Sequence, residues 1–200
     1  EGFDGLIMWA AGLTGPKSYP GTYYVKLNVG ESSMMESFKI LKDERSSSSN
    51  EDLKEQFEFL IGIRDKVTEI HKTIKQIRST REQLNSLSSK LDENHEEINN
   101  SIKDVVKKIT NIEENLYQTK NRSGQDPLNF PIRLNNKLAH LTSVAGRGNF
   151  KPTDQMYGVR DELVNLINLE LEKWNEIKDS ELDKINTMIL ENNIQLISIN

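Results

Sequence analysis

Between Leu53 and Leu91 apolar residues return every seven positions in two interleaved columns. Leu53, Leu60, Val67 and Ile74 form one, and Ile63, Ile70, Ile77, Leu84 and Leu91 the other, with no proline from Glu51 to Leu91. A heptad period places both columns on one stripe of a helix. The spacing therefore predicts a single helix over about residues 51–91. At 1.5 Å per residue it would extend about 60 Å, several times the mean globular helix of about 11–12 residues. A stripe of that length needs an equally long partner. Arg81 and Ser88 fall in the first column, where polar residues interrupt the stripe.

The partner follows in the chain. Ile98, Val105 and Ile112 repeat at seven, as do Ile102, Ile109 and Leu116, which predicts a second helix over about residues 95–119. Asp92 or Asn94 can cap it, with Glu96 and Glu97 in its first turn, and so short a break forces the two helices antiparallel. Residues 121–130 are irregular, and Pro131 suits the first turn of a third helix, about 131–145, whose stripe is Leu134, Leu138, Leu141 and Ala145. Gly146 and Gly148 end it. Pro152-Thr153-Asp154 opens a fourth helix, about 153–191, carrying Leu163, Ile167, Leu171, Trp174, Ile177, Leu182, Ile185 and Ile189. Asn192-Asn193 can close it, leaving Ile194 to Ile199 as a short extended tail.

Residues 1–45 read differently, because glycine and proline punctuate short aromatic and β-branched runs. Leu6 to Trp9 reads as a short strand, and Gly15-Pro16 and Pro20-Gly21 as turns. Thr22 to Val29 alternates with period two, which puts Tyr23, Val25, Leu27 and Val29 on one face. Gly30 to Ser33 turns the chain into Met34 to Leu41, where Phe38 and Ile40 alternate with polar residues. Three strands leave one face bare, so either helices cover it or the remaining strands lie upstream of Glu1; the expectation is an incomplete sandwich with its missing strands upstream, and the tail is a further candidate cover. Ser46 to Ser49 is a linker, with Asn50 or a nearby serine as the cap of the first helix and Glu51 and Asp52 in its first turn. The predicted class is mostly α: a long antiparallel helical hairpin in a four-helix bundle, behind a small antiparallel β unit.

Composition narrows the function. Charged residues make up 28%, hydrophobic ones 35% and aromatics 6%, which suits long amphipathic helices better than a thick enzyme core. A net charge of −5 gives no electrostatic footprint for nucleic acid or an anionic membrane surface. No run reaches the roughly 20 apolar residues of a membrane helix. With no cysteine there is neither a thiolate nucleophile nor a cysteine zinc site. The chain opens on Glu1 and reads as a piece of something longer.

No residue stands out for chemistry. His71, His95 and His140 lie on different predicted helices without metal-ligand spacing, and His95 sits among Glu93, Glu96 and Glu97 in a solvated first turn. The acid pairs Glu96-Glu97, Glu113-Glu114 and Asp161-Glu162 diverge by about 100° on a helix and read as solvated faces. Gly146-Arg147-Gly148 lacks the preceding strand that a phosphate cradle requires. Trp9, Tyr19, Tyr23, Tyr24 and Trp174 could stack on sugar rings, yet Trp174 falls in a core stripe. The expectation is no catalytic, cofactor-binding or metal-binding residue. The rival is a glycosidase drawing on Glu113 or Glu162.

Two stretches carry a resemblance. Trp9 to Leu27 (WAAGLTGPKSYPGTYYVKL), continuing to Leu41-Lys42-Asp43-Glu44-Arg45, resembles the end of the immunoglobulin-like domain that follows bacterial sortilin-type β-propellers. Asp126 to Leu138 (DPLNFPIRLNNKL) is similar to the helical C-terminal region of the same large proteins, often labelled glycosyl hydrolases with Asp-box (BNR) repeats. Asp43-Glu44-Arg45 stands where that family usually has Asp-Pro-Arg. The resemblance implies that residues 1–45 end an immunoglobulin-like domain, that 46–200 form a helical domain, and that the parent is secreted or periplasmic. Four helices with complementary apolar stripes and no convergent polar site point to a non-catalytic interaction and stabilisation module, monomeric because the stripes find partners within the chain, and the resemblance implies that it packs beside the upstream propeller or presents its surface to another protein. Two alternatives stand beside it: part of a glycoside hydrolase with its catalytic residues outside this chain, and a homo-oligomerising coiled coil.

Overall fold

A computed structural model describes residues 1–194. Strands β1 (Gly21–Val29) and β2 (Ser32–Ile40) pair antiparallel, and α1 (Asn50–Ser88), α2 (Glu96–Leu116), α3 (Leu134–Ala145), α4 (Asp154–Glu176) and α5 (Leu182–Glu191) follow. The fold is mostly helical with a small β unit ahead of the helices.

Helix α1 runs 39 residues, and its start is set by a capping box. The Ser49 hydroxyl accepts from the Asp52 N–H at 3.0 Å while the Asp52 carboxylate accepts from the Ser49 N–H at 2.9 Å. The cap is thus the last serine of the linker, and Asn50 becomes the first helical residue. Asp92 caps a 3₁₀ turn (Glu93–His95) by accepting from the Asn94 N–H, and α2 leaves that turn antiparallel to α1.

The heptad columns meet in one core to which all five helices contribute, α5 through Ile185 and Ile189. Ile63, Ile70, Ile74 and Ile77 of α1, Ile102 and Ile109 of α2, Leu138 of α3 and Ile167 of α4 are all buried. Burying each such side chain is worth about 1.5–3 kcal/mol, which is what lets a chain poor in aromatics hold a helix this long. Trp174 is buried with them, its indole N–H donating to the Gln76 side-chain oxygen Oε1 at 3.2 Å. The two polar breaks in the α1 column are matched on α2. Arg81 pairs with Glu113, and the Ser88 hydroxyl bonds to Asn99.

Three expectations need correction. Leu6 to Trp9 is not a strand, and the sheet contains β1 and β2 alone among the described residues. The backbone groups of Ile7 and Trp9 are taken instead by the side chains of Tyr117 and Asn136. Pro131 lies outside the third helix, which starts at Leu134, because the Gln118 carboxamide holds the Pro131 carbonyl at 2.8 Å in the approach to it. The fourth helix continues as far as predicted, yet it passes through a π turn (Ile177–Glu181) that separates α4 from α5. There the Leu182 N–H reaches Ile177, and the Ser180 hydroxyl competes for the Glu176 carbonyl. Asn193 takes a positive φ of 52° and closes α5. Ile194 packs on the core, and the rest of the expected tail lies outside the described residues.

Candidate functional site

The first eleven residues form a strap that crosses the helices, held mainly through its backbone. The Tyr117 hydroxyl on α2's C-terminal flank accepts from the Ile7 N–H at 3.1 Å and donates to the Gly5 carbonyl at 2.9 Å. The Asn136 carboxamide, buried on α3, accepts from the Trp9 N–H and donates to the Trp9 carbonyl. His140 and Ser143, further along α3, both reach the Ala10 carbonyl. Phe3 inserts edge-on between His71 and Tyr117, and the Arg78 guanidinium lies 4.7 Å from its ring centre. Side chains here replace a neighbouring strand, which is why an apolar run that reads as β forms no ladder.

The β-hairpin is anchored at its base and bare towards its tip. From Phe57 of α1 an aromatic chain runs through Tyr19 and Tyr23 to Phe38, with ring centres 5.2, 6.3 and 5.9 Å apart. The Tyr23 hydroxyl donates to the Tyr19 carbonyl at 2.7 Å. Lys42 ties down the exit by donating to the Ser46 and Ser48 carbonyls. Beyond this base, Gly30 takes the positive φ (58°) that a two-residue turn with glycine first requires. The register pairs Tyr23 with Phe38, Val25 with Glu36 and Leu27 with Met34, so the expected face is assembled from both strands. It has no cover among the described residues: Val25 is 55% exposed, Leu27 60%, Val29 66% and Met34 67%. The opposite face carries Thr22, Tyr24, Lys26 and Asn28 against Lys39, Ser37, Met35 and Ser33. The hairpin is therefore amphipathic, with its apolar side turned to solvent.

The residues weighed for chemistry are dispersed. His71 lies on α1, His95 in the 3₁₀ turn with Asp92 at 2.7 Å, and His140 on α3. Among the described residues no three His, Asp or Glu side chains converge as a metal site would need. Hydrogen bonds from His95 and the Asn94 backbone hold the Asp92 carboxyl below the usual carboxylate range. Glu96, Glu97, Glu114, Asp161 and Glu162 are exposed.

Glu113 is not on a solvated face. It is 2% exposed, and its two oxygens bind Arg78 at 2.7 Å and Arg81 at 2.5 Å. The α1–α2 packing brings these three together because Glu113 adjoins Ile112 in the α2 stripe. Gly146-Arg147-Gly148 wraps a side chain of α1: the Gln56 carboxamide donates to the Ala145 carbonyl at 2.6 Å and the Gly148 carbonyl at 2.8 Å. Of the aromatics singled out, Trp9 is at the margin of exposure, Tyr24 is open, and Tyr19 and Tyr23 belong to the hairpin anchor. No helix among the described residues is long and apolar enough to cross a membrane.

Comparison with known proteins finds no matching family model, no matching curated protein and no matching solved structure.

Proposed function

We propose that this chain is a non-catalytic C-terminal interaction and stabilisation module of a larger secreted, sortilin-like β-propeller protein, and that its β-hairpin docks onto further strands of an immunoglobulin-like domain in that parent. The observation that carries the reading is the apolar face of Val25, Leu27, Val29 and Met34, left open on a hairpin whose base is fixed to a packed helical bundle. A two-stranded ribbon is marginal alone, and each large apolar side chain left in water forgoes about 1.5–3 kcal/mol. A cover made of further strands would supply both a ladder partner and an apolar lid. The bundle then acts as a rigid base that sets the angle of the hairpin.

The rival glycosidase drawing on Glu113 or Glu162 has less to stand on, because Glu113 is already committed to two arginines and Glu162 is an exposed residue of α4. The coiled-coil alternative requires free heptad stripes, whereas those of α1 and α2 are buried within the chain. The test is the paired substitution Leu27→Lys and Met34→Glu, made in the isolated chain and in the parent. The melting temperature should fall in the parent and stay within about 2 °C in the isolated chain, since exposed changes cost little. Equal behaviour in both would refute the docking.

A further inference from the structure

We propose that His71 and Asn135 form an acid-sensitive latch that holds the N-terminal strap against the bundle. His71 is fully buried on α1 and uses both ring nitrogens. Its Nδ1 lies 2.7 Å from the Glu1 carbonyl oxygen and its Nε2 3.2 Å from Asn135 Nδ2. The Asn135 amide cannot turn round without losing a bond, because its Oδ1 accepts from the Asn136 N–H at 2.7 Å. Nε2 is consequently an acceptor, and the proton of the neutral ring sits on Nδ1, donating to the strap. A second proton would set an N–H of Nε2 against the amide N–H of Asn135 inside a buried site.

Charged and polar groups around the ring divide. From the strap, the Glu1 carbonyl that takes the Nδ1 proton and the Glu1 carboxylate favour a second proton; from α1, Lys75 opposes it. Helix α3 presents the neutral Asn135, while the neutral Phe3 ring packs on the imidazole with Tyr117 behind it. Burial, the largest influence, pushes the ring below its usual value near 6.5. Lys75 holds the Glu1 carboxyl below the ordinary carboxylate range. His140 also touches the strap, but its Nδ1 faces only the Ala10 carbonyl, an acceptor that a protonated ring satisfies equally.

The sign follows. With the strap docked His71 binds its second proton less readily than with the strap released. Docking is at full strength above about pH 6.5 and weakens as pH falls below it, by up to about tenfold per unit until the docked ring itself titrates.

The experiment is amide exchange at Ile7 and Trp9, whose N–H groups are held by Tyr117 and Asn136, measured from pH 7 to 5 and corrected for the intrinsic rate at each pH. The opening constant of these amides should rise at least several-fold in the native chain while α2 core amides stay constant. In His71→Asn, whose amide keeps a donor near Nδ1, it should be flat. In Asn135→Asp, whose free oxygen would accept from a protonated Nε2, the dependence should reverse. The ring titration of His71 by NMR supplies a reading that needs no variant, and should follow strap opening. Opening constants that do not change with pH, that change equally in His71→Asn, or a ring that titrates at its ordinary value with the strap still protected would each overturn the latch.

Discussion

Asn136 holds Trp9 by the backbone on both sides, accepting from its N–H at 2.6 Å and donating to its carbonyl at 2.8 Å. A carboxamide has the donor and acceptor spacing of a peptide group, so one side chain of α3 does the work of a paired strand. Removing it leaves two partly buried backbone groups unpaired, at about 1–3 kcal/mol. Asn136→Ala should therefore lower the unfolding free energy by that amount, as measured by chemical denaturation, and release the Trp9 amide to exchange. Trp9→Ala, which alters a side chain at the margin of exposure, should cost clearly less.

Glu113 joins α2 to α1 through Arg78 and Arg81. Breaking a buried pair from one side leaves charge uncompensated, so Glu113→Ala should destabilise by about 3 kcal/mol. Replacing all three by apolar residues of similar volume should recover most of the loss. Chemical denaturation of the single and triple variants gives both numbers.

The Asp126 carboxylate accepts from the Arg122 and Ser123 N–H groups and from the Ser123 hydroxyl, closing the loop before α3. These bonds hold its carboxyl below the usual range. The sign is that of a depressed acid: the contribution is complete above the unfolded value of about 4 and disappears as pH falls through the lower folded value. Asp126→Asn should flatten the acid limb of melting temperature against pH below about 4 and leave its shape near neutrality unaltered.

Tyr19 bridges Phe57 on α1 to Tyr23 in β1. Aromatic pairs of this kind contribute about 0.5–1.5 kcal/mol each beyond their buried area. Tyr19→Ala should accelerate amide exchange across β1 and β2 by roughly tenfold while the bundle melts within a few degrees of the native chain.

The helical hairpin was legible because its signal is periodic and local: a heptad over five turns or more needs no knowledge of the partner to be read. Trp174 in the core and the shared face of Tyr23, Val25, Leu27 and Val29 were legible for the same reason. The strap was not, since Leu6 to Trp9 has strand composition and its bonding partners, Tyr117 and Asn136, stand 110 and 127 residues further on. Glu113 was misread from its neighbour Glu114, although an arginine in the α1 heptad column was the signal that a buried acid should answer it. His71 carried no local mark of its role, because its partners come from the strap and from α3.

Oxidative footprinting of the two adjacent methionines tests most directly whether one face of the hairpin is a docking surface. Met34 lies on the apolar face opposite Leu27, and Met35 on the other face opposite Lys26. In the isolated chain both are open, at 67% and 60% exposure, and both should oxidise readily. In the parent protein Met34 should be protected at least several-fold while Met35 continues to react. Equal reactivity of Met34 in the isolated chain and in the parent would contradict docking of this face.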